Sequence, residues 1–217
     1  MSTNWTQTYT GKKFFPAKPS TDDVDIIDIA RALSMQCRFN GHVTRFYSVA
    51  EHSVLVSRIV EDNYGIAAKG RWPYDRDDPW GRKACANVCL KALLHDASEA
   101  YLGDMVRPLK MLPELAAFRA IDSDVQLIIE ACFVDTVPEW AEDLIKQADN
   151  DILGSEAEWL LVDGPHPDWA KTTSTGRLTP ADPKLRPTML TECPPKEAER
   201  LFHARFDELT RRIEAGS

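Results

Sequence analysis

The amino-acid sequence predicts an all-α bundle with a short N-terminal β-hairpin, and three observations carry that expectation. After Ser20, most segments place apolar residues at helical spacing. The stretch Trp5 to Pro16 instead has aromatic and β-branched residues on both sides of Thr10-Gly11, the form of a hairpin. The 14 prolines gather before Thr21, between Arg71 and Pro79, and from Pro165 to Pro195, where they mark loops between packed segments. With 217 residues, of which 43% are hydrophobic, the chain has material for one well-buried core, so residues 1–217 read as a single domain.

The elements follow in order. Thr21 or Asp22 is placed to cap a helix in which Val24, Ile27, Ala30, Ala32 and Leu33 keep helical spacing as far as Gln36. Ser48, with Glu51 three residues on, has the form of a capping box. It opens a helix whose Val49, His52, Val56, Ile59 and Val60 share a face, which turns His52 inward. Asn63 to Arg82 is rich in Gly, Pro, Asp and Arg without a period and reads as an exposed loop or insertion. From Lys83 to Ala97 the apolar run Ala86, Val88, Cys89, Leu90, Ala92, Leu93 and Leu94 predicts a central helix ending in His95-Asp96. Further helices are expected over Glu114 to Cys132, Glu139 to Val162 and Lys196 to Ala215, with a long polar loop from Gly164 to Pro194.

Composition narrows the function classes. A net charge of -8 argues against a nucleic-acid polymer as partner, because backbone affinity needs clustered cations. A small phosphate-bearing ligand would need a local cationic pocket or a metal ion. No apolar run is long enough to cross a bilayer, and Met1 to Phe14 lacks the basic and then apolar pattern of a signal peptide. The expectation is a cytoplasmic protein with no membrane partner. Five cysteines without a CxxC pair, with Cys85 and Cys89 four apart on a helix, read as reduced core thiols.

The chemistry is signalled by charge in apolar surroundings. An isolated carboxylate is costly to bury, so ionisable groups on apolar helices are paired or bound to metal. His52, His95-Asp96 and Asp149 all break an apolar pattern, and three helices thus offer imidazole nitrogen and carboxylate oxygen suited to a divalent metal. Asp151 is a nearby rival for Asp149, and Glu156 shares the Asp149 face as a candidate second layer. Glu99, a helical turn beyond His95 and Asp96, projects toward the same side and can orient or deprotonate a water. Arg38 precedes the Asn40-Gly41 turn, and its planar fork suits phosphate; Phe39 can then pack on a base or sugar. His42 and Arg45 are weaker candidates, while His166 and His203 lie apart and are assigned to no site.

The order His52, His95-Asp96, Asp149 resembles the H…HD…D signature of the HD superfamily. The likeness extends through Cys37-Arg38-Phe39-Asn40-Gly41-His42, Phe46 to Ser53, Leu94-His95-Asp96-Ala97-Ser98-Glu99 and on to Asp104, Arg107-Pro108-Leu109-Lys110, and Lys146-Gln147-Ala148-Asp149. These segments are similar to the small helical HD hydrolases that include bacterial 5'-deoxynucleotidases and the phage dATP triphosphohydrolases of the DatZ type. The resemblance runs from Trp5 to Leu161, roughly seven tenths of the chain, and is far more specific than an HD dipeptide alone.

That resemblance implies an HD-domain bundle and a metal site of His52, His95, Asp96 and Asp149, holding Mn, Co, Fe, Zn or Mg. It makes Glu99 and Asp104 the catalytic pair and Lys110 a phosphate contact beside Arg38. It implies hydrolysis of a purine deoxynucleotide, dATP or dAMP, with release of deoxyadenosine, and a homo-oligomer, dimer or hexamer. Three other readings stay open. They are a general 5'-deoxynucleotidase acting on dNMPs, a hydrolase of cyclic or hyperphosphorylated signalling nucleotides, and a non-catalytic, metal-stabilised nucleotide-binding protein.

Overall fold

A computed structural model describes residues 4–70, 79–169 and 179–216. Strands β1 (Thr6–Gln7) and β2 (Lys13–Phe14) pair antiparallel, with Thr6 opposite Phe14. Gly11 closes the turn at a φ of 87°, which an L side chain rarely adopts. The hairpin is docked through both ring packing and hydrogen bonds. Phe14, fully buried, stacks on Tyr101 with ring centroids 4.0 Å apart, and the Thr10 amide and hydroxyl donate to Asp28 at 2.7 and 2.8 Å.

Helix α1 spans Ile26–Met35, and its cap is Asp25, not Thr21 or Asp22. Those two residues sit in a separate 3-10 turn capped by Ser20; Val24 follows in extended conformation, which lets its side chain enter the core. Helix α2 (Val49–Ala68) begins as expected, with the Ser48 hydroxyl accepting from the Glu51 amide at 3.0 Å. The other half of the capping box does not form, because the Glu51 carboxylate is taken by Arg45 at 2.7 and 3.0 Å. Nor does α2 stop at Asn63. Val60, Tyr64 and Ala68 recur at four-residue steps and are all buried, so the core extends the helix into a segment that reads polar by composition. Residues 71–78 of that expected loop lie outside the described residues.

Helix α3 (Pro79–Leu93) packs between α2 and α9 (Pro195–Ala215). Its Cys85, Ala86, Val88, Cys89, Leu90, Ala92 and Leu93 are all buried. Against the expected boundary at Ala97, it ends at Leu93, and residues 94–98 form a turn. Short helices α4 (Glu99–Leu102) and α5 (Arg107–Lys110) follow, then α6 (Ala116–Phe133) and α7 (Trp140–Leu160). Helix α2 is the hub, touching α1, α3, α7 and α9, so a side chain on its inner face reaches the centre of the molecule. The architecture is therefore all-α with one small hairpin.

Within the expected 164–194 loop, of which residues 170–178 lie outside the described residues, α8 (Arg186–Leu190) is anchored by fully buried Met189. The loop's returning limb lies directly on α7. The Thr179 hydroxyl donates to Asp151 at 2.9 Å, the Asp182 amide donates to the Ser155 hydroxyl at 2.9 Å, and a Cβ at Gly154 would collide with the Thr179 carbonyl. Among the described residues, which include all five cysteines, no disulfide is formed, and Cys89 is held protonated by its bond to Cys85 and by burial. No helix among those residues is long and apolar enough to cross a membrane.

Candidate metal centre

His52 reaches the centre because Val49, Val56 and Val60 bury the face of α2 that carries it; its ring is wholly inaccessible. His95 and Asp96 come from the 94–98 turn, and Asp149 comes from α7. One ligand atom each from His52, His95 and Asp96 lie within 4.8 Å of one another, a group able to hold a metal ion. Asp149, expected as a fourth ligand, lies outside that group but close to it, its Oδ1 3.2 Å from His52 Nε2 and 3.9 Å from His95 Nε2. Its rival Asp151 is turned away to the Thr179 hydroxyl.

The hydrogen bonds behind the rings set their tautomers. His95 Nδ1 lies 2.8 Å from the Ala92 carbonyl, which can only accept, so Nδ1 carries hydrogen and Nε2 presents a lone pair. His52 Nδ1 lies 2.6 Å from Glu156, with the same consequence. The two Nε2 atoms face each other at 3.3 Å, with Asp96 Oδ2 3.3 Å from one and 3.7 Å from the other. With both rings neutral, two nitrogen lone pairs and two carboxylates converge with no donor between them, an arrangement that favours positive charge at its centre. Protons or a cation can supply it, and the N and O donor set suits a divalent ion.

The titration behaviour expresses the same preference. Burial opposes charge on His95, yet Asp96 and Asp149 outweigh it and hold the imidazole well above its ordinary range. His52 is opposed by burial and by Arg38, but Glu156 and Asp149 still raise it. Burial pulls Asp96 and Asp149 upward, and the two imidazoles bring both below the usual carboxylate range.

Glu156 is the support the sequence only suggested. Fully buried, it accepts from His52, from the Tyr47 hydroxyl at 2.9 Å and from Arg38 at 3.1 Å, so the carboxylate is ionised and the ring is fixed. Arg38 also lies 3.5 Å from Asp96, so the expected phosphate ligand is an arginine already spanning two carboxylates. Its Nε is buried without a partner among the described residues. Behind it Phe39, Asn40 and Gly41 run at φ of 57°, 52° and 78°, a left-handed turn closed by the His42 amide onto the Phe39 carbonyl. For two side-chain-bearing residues this is strained backbone, of the kind that persists around functional sites.

Glu99 opens α4 almost wholly buried, with Oε2 unpartnered among the described residues. Burial, and then the charges of Asp96 and Asp104, push its carboxyl up to about 9. Asp104, after Gly103 at a φ of 87°, is raised by burial and by Asp96. Gln36 ties the pair together, donating to the Glu99 carbonyl at 3.0 Å and accepting from the Asp104 amide at 2.8 Å. Lys110 is held by Asp122 at 2.7 Å, and Glu99 and Asp96 also favour its charge. Phe39 meets Trp169, centroids 6.0 Å apart, which brings the loop after α7 to the rim. His42 is exposed and contributes its backbone to the turn; His166 is an exposed partner of Asp168. Tyr47, Gln36, Asp122 and Trp169 escaped the sequence reading, since each acts through a contact distant in sequence.

Fold and donor set together define an all-helical protein with a candidate cation site among α2, the turn after α3, and α7. No family model matches the chain. It is 32% identical over 157 residues to the uncharacterized protein YfdR of Escherichia coli strain K12, a match covering 72% of each chain, and it belongs to that protein's family. It is also 36% identical over 113 residues to an uncharacterized protein of Rhodobacter capsulatus, covering 51% of this chain and 48% of the relative.

Proposed function

We propose that the protein is a cation-dependent phosphohydrolase of the HD type that releases deoxyadenosine from dAMP or dATP. One observation carries the reading: two imidazole Nε2 atoms face each other at 3.3 Å, and Glu99, which feels the charge of Asp96, has a buried Oε2 with no partner among the described residues. The resemblance of the surrounding segments to HD deoxynucleotidases supplies the substrate class.

His52, His95, Asp96 and Asp149 would hold the ion. When bound, a divalent cation supplies Lewis acidity, polarising a phosphoryl oxygen and making water a better nucleophile near neutral pH. Glu99 then receives the proton from the attacking water. Its carboxylate form is favoured once positive charge balances Asp96 and Asp104, the two groups that oppose its ionisation after burial. The water oxygen bonds to phosphorus as the bond from phosphorus to the 5' oxygen breaks. Asp104, whose raised affinity for a proton suits a donor, protonates that departing oxygen. Arg38 and Lys110 face the phosphate with fixed positive charge. The same bond breaks in dAMP and dATP, and only the length of the phosphate chain differs.

The test uses protein stripped of metal and reloaded with single divalent ions, incubated with each dNMP, each dNTP and a cyclic dinucleotide. The expected result is cation-dependent release of deoxyadenosine, abolished by Asp96→Ala. Turnover that survives Asp96→Ala removes the mechanism, and turnover restricted to the cyclic dinucleotide removes the substrate class.

A further inference from the structure

Asp122, Gln126 and Glu130 recur at four-residue steps on α6, so one face of that helix carries three polar side chains. Asp122 and Gln126 are turned to the segment that carries candidate ligands, and Glu130 backs them. Asp122 Oδ1 accepts from the Ser98 hydroxyl at 2.7 Å. Gln126 accepts from the Ser98 amide at 3.2 Å and donates to the Leu94 carbonyl at 2.8 Å, so both ends of the 94–98 turn are gripped from one helix. Glu130 takes the second amide hydrogen of Gln126 at 2.9 Å and pairs with Lys91 on α3.

The same carboxylate reaches the other candidate contact. Asp122 Oδ2 lies 2.7 Å from Lys110 Nζ, and Arg119, one turn earlier on α6, donates to the Lys110 carbonyl at 2.7 Å. Lysine is a flexible point charge with large rotamer entropy, and it directs an anion well only when something holds it. The ammonium has three donors, so binding Asp122 still leaves hydrogens for a phosphate. A partly exposed pair of this kind adds little to stability, which makes a purely structural role a weak account of it.

We propose that Asp122 is a positioning residue: it aims Lys110 at the phosphate of the nucleotide and, through Ser98, fixes the turn from which Asp96 and Glu99 project. The proposal rests on the phosphohydrolase reading for the identity of its ligand. Its hydrogen bonds and ion pair run from α6 to Leu94, Ser98 and Lys110.

The experiment measures calorimetric binding of deoxyadenosine 5'-phosphorothioate to the full chain, alongside kcat and KM for dAMP and melting curves. The proteins are wild type, Asp122→Ala, Asp122→Asn, Lys110→Ala and the Asp122→Ala/Lys110→Ala pair. Asp122→Ala is expected to weaken binding about tenfold in the wild-type background and less than about twofold once Lys110 is gone, the non-additivity of groups acting as a unit. Asp122→Asn, which keeps an acceptor for Ser98 but loses the charge pair, gives an intermediate loss with an unchanged melting point, and it decides the matter should the alanine variant fail to fold. Equal losses in both backgrounds, wild-type affinity in Asp122→Asn, or no binding by the wild type overturn the proposal. A wild type that binds the phosphorothioate with this coupling but hydrolyses nothing defeats the phosphohydrolase reading and leaves the positioning role standing.

Discussion

Helix α2 carries two networks of buried charge, and they are built differently. In its C-terminal half, Arg205 from α9 donates to the Ser57 hydroxyl at 3.0 Å and its carbonyl at 3.3 Å, and it meets Glu61 at 2.8 Å and Glu208 at 3.1 Å. Arg212 completes the set on Glu61 at 2.6 Å. Donors and acceptors balance there. At the other end, around His52, two imidazole Nε2 atoms and two carboxylates crowd together, and Glu99 Oε2 and Arg38 Nε are buried without partners among the described residues. A balanced network joins helices, whereas an unbalanced one is costly in isolation and is retained where a ligand completes it.

Substitutions should separate the two ends. Glu99→Ala is expected to lower kcat for the preferred deoxynucleotide by about 10²- to 10⁴-fold with little change in melting point, the range for losing a general base. A loss confined to KM would contradict that role. Arg205→Ala does the reverse: it leaves Glu61 and the Ser57 carbonyl facing a vacated site and should cost about 3 kcal/mol in urea denaturation. Cation binding by the folded fraction should be unaffected, and a coupled loss of both would show that the two networks are one.

Glu156→Gln tests the link between burial and site. It keeps an acceptor but removes the charge that fixes His52, so cation affinity should fall about 10- to 100-fold, measured by titration with cobalt or manganese. Unchanged affinity would reduce Glu156 to packing.

The smallest effect concerns pH. Burial opposes ionisation of Glu61, but Arg212 and Arg205 outweigh it and set the folded carboxyl below the ordinary glutamate range. A depressed folded value means stability is present above the unfolded value and is lost as pH falls through the folded one. Because the pair is partly solvated, the contribution should stay below about 1 kcal/mol. Urea midpoints of Glu61→Gln and wild type should therefore differ at neutral pH and converge in acid. A difference that grows in acid would reverse the assignment.

Much of this contrast was visible in one dimension. His52, His95 and Asp96 stood out because apolar periodicity made each an anomaly, and the hairpin and long helices followed from local pattern. Local pattern misjudged several boundaries, the start of α1 and both ends of α3 among them. It read residues 63–68 as loop because it could not see that Tyr64 and Ala68 meet the core, and it carried α3 through His95 because no residue near Leu93 signals a stop.

By itself, then, the sequence determined where helices form and which groups are too polar for their surroundings, since periodicity and desolvation cost act over a few residues. Tertiary structure alone decided that Asp149 and not Asp151 turns inward, that Glu156 and Ala92 set the two imidazole tautomers, and that Asp122 holds Lys110. Those choices depend on which helices pack together. The partners lie tens of residues apart, a range over which spacing along the chain carries no direction.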